Sequence, residues 1–214
     1  MSLYSQRRRG NNDMKIGTIL RYAILCGICL MPVEVMARAS SMKTHGLTSQ
    51  PIGHYNFCKS NPGECSQRSG KTRPMKLTRE AWRQMIDINQ RVNTAIEPHT
   101  DMELFGVEEY WAYPQSVGDC EDYVLLKRHL LMQEGYSPSD LLITVVRQPD
   151  GSGHAVLTVR TDNGDFILDN MRNQVLLWSD TEYTFLKRQS SRHTGKWTKI
   201  EHSRTTIVGS IKDN

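Results

Sequence analysis

Three carboxylates crowd one cysteine in VGDCEDYVLLK, residues 117–127: Asp119 precedes Cys120, and Glu121 and Asp122 follow it. A cysteine attacks as its thiolate, and nearby negative charge opposes ionisation. Two readings fit. In the plainer one, Asp119 caps a helix, Glu121 and Asp122 sit at the positive end of its dipole, and Asp119 and Asp122 have capping-box spacing. Cys120 is then a small buried hydrophobe. In the other, Cys120 is a nucleophile at a helix start, where the dipole lowers the thiol pKa.

Two downstream residues favour the nucleophile. His154 opens the β-rich run HAVLTVR after the turn-forming PDGSG, and Asp169 closes FILDN. Cysteine at a helix start, then histidine and aspartate on neighbouring strands, gives a thiol, a base and a group that orients the base. Strand parity tests whether the last two meet. If a four-residue loop at 161–164 closes the hairpin, Arg160 opposes Asp165 and Val156 opposes Asp169. His154 is then a diagonal neighbour of Asp169, with Cα atoms about 7–8 Å apart. The tighter Asn163–Gly164 turn, which the local sequence favours, pairs Thr158 with Asp169 instead. That leaves His154 about 13 Å away along the strand. A triad therefore requires a wider loop or a bulge, despite the Asn-Gly signal.

The elements that must position these residues are legible. Thr78 is an N-cap for REAWRQMIDINQRVNTAI, with Trp82, Met85, Ile86, Val92 and Ile96 roughly on one face and Pro98 ending the pattern. A loop over residues 99–118 carries Tyr110, Trp111 and Tyr113. A second helix runs from about Cys120 to Glu134 and stops at Gly135, burying Tyr123, Val124, Leu130 and Leu131. LLITVVR, HAVLTVR, DFILDN, QVLLW and EYTFLKRQ then read as strands separated by turns. This is an α+β domain with Cys120 at the front of a central helix packed on an antiparallel sheet.

Composition bounds the rest. Of the 214 residues, 38% are hydrophobic and 23% charged, ordinary for one soluble globular domain. The net charge of +4 is partly owed to Arg7, Arg8 and Arg9, and no basic stripe interleaved with aromatics follows, so no nucleic-acid partner is expected. Residues 1–39 have the basic start, apolar run and small residues of a signal peptide, with Met14 a candidate start after a misannotated leader. The run, roughly Tyr22 to Val33, is shorter than the ~20 residues of a spanning helix. Export, with a periplasmic destination, removes Cys26 and Cys29 and leaves Cys58, Cys65 and Cys120. Cys58 and Cys65 bracket KSNPGE, whose Asn-Pro-Gly turn allows a disulfide in an oxidising compartment. Zinc would need a second close pair of ligands. Cys120 is then the odd thiol. The expected layout is a signal peptide at 1–39, an irregular arm pinned by the disulfide at 40–77, the catalytic domain at 78–205 and a tail at 206–214.

GDCEDYVLLK, GHAVLTV and FILDN together resemble the bacterial transglutaminase-like cysteine peptidase family, over about residues 78–190, and YNFCKSNPGEC resembles its short exported members. The resemblance implies a papain-like, transglutaminase-like α+β core, with Cys120 as nucleophile, His154 as base and Asp169 as orienting acid. It also implies Ca2+ held by Asp119 and Glu121, a protein or peptide substrate such as a cell-surface adhesin, and a membrane-bound regulator. One departure is the segment AYPQSV between Trp111 and Gly118, which is shorter than in the family's best-known member and lies beside the nucleophile. Calcium would resolve the crowding of carboxylates by offsetting the charge that opposes the thiolate.

Two rivals share the motif: acyl transfer from the same triad to an amine, and a non-catalytic calcium-responsive binding module. Among the remaining residues, Trp111 either lines the cleft or stabilises its loop. A further calcium ligand is open among Asp101, Glu103 and Asp122. The Lys-Arg pairs at 127–128 and 187–188 and the acids Glu108 and Glu109 are expected on solvated faces.

Overall fold

In the computed structural model, which describes residues 41–70 and 73–201, the elements run β1 (Thr44–Thr48), α1 (Ile52–Ser60), α2 (Pro62–Cys65), α3 (Arg79–Ala95), β2 (Glu97–Pro98), α4 (Asp101–Phe105), β3 (Val117–Gly118), α5 (Cys120–Gln133), β4 (Leu141–Arg147), β5 (Gly153–Thr161), β6 (Gly164–Asp169), β7 (Arg172–Leu177), β8 (Thr184–Ser190) and β9 (His193–Ile200). The signal-like segment 1–39 and the tail 206–214 lie outside the described residues. No helix among the described residues is long and apolar enough to cross a membrane.

The two long helices follow their sequence signals. Thr78 caps α3 through a 3.0 Å hydrogen bond from the Ala81 N–H. Met85, Ile88, Val92 and Ile96 are buried, while Trp82 and Ile86 are only partly so. Helix α5 ends before Gly135, whose φ of 90° suits a residue without a side chain.

Seven strands form one sheet in the order β1-β9-β8-β4-β5-β6-β7, with every neighbouring pair antiparallel. Alternate residues of a strand face opposite sides. Ala155, Leu157 and Val159 join the larger core with α3 and α5, whereas Val156 joins a smaller cluster with Val146, Ile167, Trp178 and Phe185.

Three expectations need correction. The segment expected as an irregular arm is built: β1 pairs with β9, and α1 and α2 are joined by the Cys58–Cys65 disulfide. The loop expected over 99–118 contains α4, with a complete capping box between Thr100 and Glu103. The basic pairs are largely buried. The inner stripe of α5 runs through Tyr123, Val124, Lys127, Arg128 and Leu131, so helical spacing carries both cations under the sheet. Arg128 pairs with Glu64 at 2.9 Å and donates to the Leu141 carbonyl, and Arg188 pairs with Asp165 at 2.7 Å. Lys127 is fully buried, and its Nζ has no hydrogen-bond partner among the described residues.

Candidate active site

The β5–β6 hairpin takes the register in which Arg160 opposes Asp165, but through a two-residue turn rather than the expected four-residue loop at 161–164. Arg160 pairs with Asp165 and Thr161 with Gly164, so only Asp162 and Asn163 are left to turn. Gly164 closes the turn at φ 110°, a conformation that disfavours a side chain. The register places Val156 opposite Asp169 and makes His154 its diagonal neighbour without a bulge between these strands. The side chains meet: His154 Nε2 lies 2.9 Å from Asp169 Oδ1, both buried.

Asp169 is held from several sides. Tyr183 Oη donates to Oδ2 at 2.6 Å, and the Met171 N–H donates to Oδ1 at 3.0 Å. Burial would raise this carboxyl's pKa, but the bonds from His154, Tyr183 and Met171 outweigh it and hold it at about 2. An ionised carboxylate only accepts, so a neutral His154 carries its proton on Nε2 and keeps the Nδ1 lone pair.

Cys120 is the first residue of α5 and is partly exposed. It lines a cavity of about 360 Å3 with His154, Gly153, Ala155, Glu121 and Trp111. Its sulfur donates to Glu121 Oε2 at 2.7 Å. Burial and the Glu121 and Asp119 carboxylates push the thiol pKa well up, opposed by a hydrogen bond from the Ala155 backbone N–H.

The acids do not behave as simple caps. Asp119 occupies the N-cap position, but its side chain makes no capping hydrogen bond. It meets Asp101 and Glu121 instead, and one carboxylate oxygen from each lies within 4.8 Å of the others. Asp101 is the ligand candidate that sequence spacing could not select, because the fold of 99–118 brings it to Asp119. Burial, Glu121 and Asp101 raise the Asp119 pKa to about 8, and burial likewise raises Asp101 and Glu121. Asp122 stands apart in function. It accepts the Ala112 N–H at 2.8 Å, and its pKa rises to about 7 chiefly through burial. Asp101 likewise accepts the Tyr110 N–H. The loop between α4 and β3 is therefore tied to Asp122 of the motif and to Asp101 of the carboxylate cluster.

That loop forms one wall of the cavity. Trp111 is buried, and its indole N–H donates to Glu109 at 3.0 Å, while Glu108 and Glu109 are both exposed, as expected. Gly53 of α1 lies beneath the indole, where a Cβ would come within 2.3 Å of a ring atom. Pro51 and Ile52 complete this side. None of this was readable from α1, which sequence alone had left irregular.

The arrangement unites a thiol at a helix start, an imidazole fixed by a carboxylate, and a hard-oxygen cluster beside the thiol. This chain belongs to the bacterial transglutaminase-like cysteine proteinase family, whose sequence model matches residues 44–205. It is a family of cysteine peptidases, which act on protein substrates. Among solved structures, the chain is similar to Legionella pneumophila LapG in its calcium-bound form, at 24% identity and a TM-score of 0.47 over 56% of this chain and 72% of that one. A second Legionella pneumophila LapG structure gives 24% identity and 0.46 over 54% and 67%, and the EGTA-treated form 22% and 0.46 over 58% and 73%. No curated protein matches the chain.

Proposed function

We propose that this chain is an exported cysteine protease in which Cys120 is the nucleophile, His154 its base and Asp169 the orienting acid. The observation that carries the reading is the buried His154–Asp169 hydrogen bond, beside a cavity onto which the Cys120 thiol also opens. His154 Nδ1 takes the thiol proton, and the sulfur forms a bond to a peptide carbonyl carbon. The Cys120 N–H, in the first turn of α5, is an oxyanion donor. His154 then gives its proton to the leaving amine as the C–N bond breaks. Water, deprotonated by His154, hydrolyses the thioester and restores the thiol.

The bond from Cys120 to Glu121 must break before His154 can take the proton. Asp101, Asp119 and Glu121 would hold a divalent cation, and Ca2+ suits an all-carboxylate donor set. The fit rests on this chain's own atoms: one oxygen each of Asp101 and Asp119 is buried without a hydrogen-bond partner among the described residues. Bound there, calcium supplies positive charge that offsets the carboxylates opposing the thiolate.

The periplasmic address rests on the signal-like segment, and a cell-surface adhesin as substrate rests on the family resemblance. Comparing the periplasmic and surface proteomes of cells carrying wild type and Cys120→Ala tests the whole reading. Substrates should accumulate uncleaved in the variant. Identical cleavage patterns in the two strains would reject it.

A further inference from the structure

Tyr183 immediately precedes β8 and does not line the cavity. It is nevertheless the second side chain to grip the Asp169 carboxylate. Its hydroxyl donates to Oδ2 at 2.6 Å while His154 occupies Oδ1, so the two oxygens have different partners. The Tyr183 and His154 rings lie 5.6 Å apart. Both Tyr183 and Asp169 are buried, at 4% and 1% exposure, so water does not readily substitute for the hydroxyl.

Tyr183 is itself held. The Arg172 guanidinium stands 5.4 Å from its ring and contacts its hydroxyl at 3.3 Å, while Arg172 also pairs with Glu182. Arg172 Nε lies 3.3 Å from Asp169 Oδ2 but lacks hydrogen-bond geometry, which leaves the tyrosine as the directional donor on that oxygen. Asn93 of α3 fixes the backbone behind by donating to the Asp169 carbonyl at 2.9 Å.

We propose that Tyr183 is a positioning residue that fixes the rotation of the Asp169 carboxylate, and through it the tautomer and orientation of His154. The inference rests on the triad reading above. A carboxylate held only on Oδ1 can swing about its Cβ–Cγ bond, and the imidazole it orients follows. The ring of Tyr183 beside His154 further limits that swing. In free-energy terms the hydroxyl makes a charge-assisted bond in a buried site, where such bonds are at their strongest.

The experiment is a double-mutant cycle of Tyr183→Phe and Asp169→Ala, made in the full chain with calcium present. Two readouts avoid the need for a known substrate: the rate of Cys120 alkylation by iodoacetamide at neutral pH, and the 15N chemical shifts of the His154 ring. Phenylalanine keeps the ring, and thermal melting verifies that each variant is folded. Tyr183→Phe should slow alkylation about ten- to hundredfold, the range for loss of a bond to a charged group. It should also reduce the Nε2-protonated tautomer of His154. In the Asp169→Ala background the same change should alter the rate by less than about twofold.

A wild-type alkylation rate and unchanged ring shifts in Tyr183→Phe would overturn the proposal. So would an equal loss with and without Asp169, because the tyrosine would then act by another route. If Asp169→Ala alone alkylates at the wild-type rate, the triad reading fails first and the role of Tyr183 falls with it.

Discussion

Asp101 and Asp119 each bury a carboxylate oxygen that has no hydrogen-bond partner among the described residues, and the two side chains bring carboxylate oxygens within 4.8 Å of each other and of Glu121. Such a group is costly to ionise without a cation: burial first, and then the Glu121 and Asp101 charges, raise the Asp119 pKa to about 8. Millimolar calcium should therefore raise the melting temperature, with about 2.7 kcal/mol of stabilisation at a hundredfold excess over Kd. Asp101→Asn removes one charge from the set while keeping an acceptor for the Tyr110 N–H, and should weaken the calcium response at least tenfold in midpoint concentration. Calorimetric titration of both proteins measures it. An undiminished response in the variant would remove Asp101 from the site.

Gly53 carries a second expectation. The Trp111 indole occupies the volume its Cβ would fill, and Trp111 also packs edge-on against the buried His54 ring. Gly53→Ala must displace Trp111, at a cost of about 1–3 kcal/mol for overpacking. Because Trp111 lines the cavity with Cys120, the change should alter the accessibility of Cys120 and shift tryptophan emission to the red. Unchanged emission, melting and alkylation together would show that the wall yields without moving the indole.

What the sequence disclosed follows physical lines. Helices α3 and α5 were legible because an apolar stripe and a capping residue mark each one locally. The hairpin register was legible only through chemistry. Asn163–Gly164 argues for a turn on those two residues, whereas a His154–Asp169 contact demands pairing of Arg160 with Asp165; the latter is observed, through an equally short turn one residue earlier at Asp162 and Asn163. Lys127 and Arg128 misled because a cation suggests a solvated face, yet both lie on the stripe with Tyr123, Val124 and Leu131. Asp101 was one of three open choices, since 18 positions separate it from Asp119 and only the path of α4 and the following loop joins them. The α4 capping box, Thr100 and Glu103, was there to be read and would have shown that Asp101 starts a helix.

The Cys58–Cys65 bridge ties α1 to α2 close to the buried His54, whose pKa falls to about 4, chiefly through burial. Breaking it frees a loop of seven-residue separation, which in the chain-entropy estimate is worth about 2.5 kcal/mol. The Cys58→Ser/Cys65→Ser double variant should unfold at a correspondingly lower urea concentration, with a transition slope no shallower than that of wild type because the unfolded chain is released from its cross-link. A midpoint equal to that of wild type would mean that the packing around His54 alone secures the segment.

Lys127 gives the sharpest pH prediction. Burial lowers its pKa from 10.5 to about 7, although the Asp169 charge pulls it upward. Between those two values the unfolded chain binds a proton that the folded chain does not, so stability rises with pH across this window. The penalty for burying the ammonium is thus complete below about pH 7, shrinks toward pH 10.5 and vanishes above it. Lys127→Met fills similar volume without a charge. It should stabilise the fold by a few kcal/mol at pH 6 and by much less at pH 10, the remainder at high pH reflecting packing alone. Urea unfolding of both proteins at the two pH values measures the difference. A gain that is equal at both, or a loss at pH 6, would mean that the Lys127 ammonium is stabilised in the fold by more than Asp169 and the 5.7 Å contact with the Tyr123 ring supply.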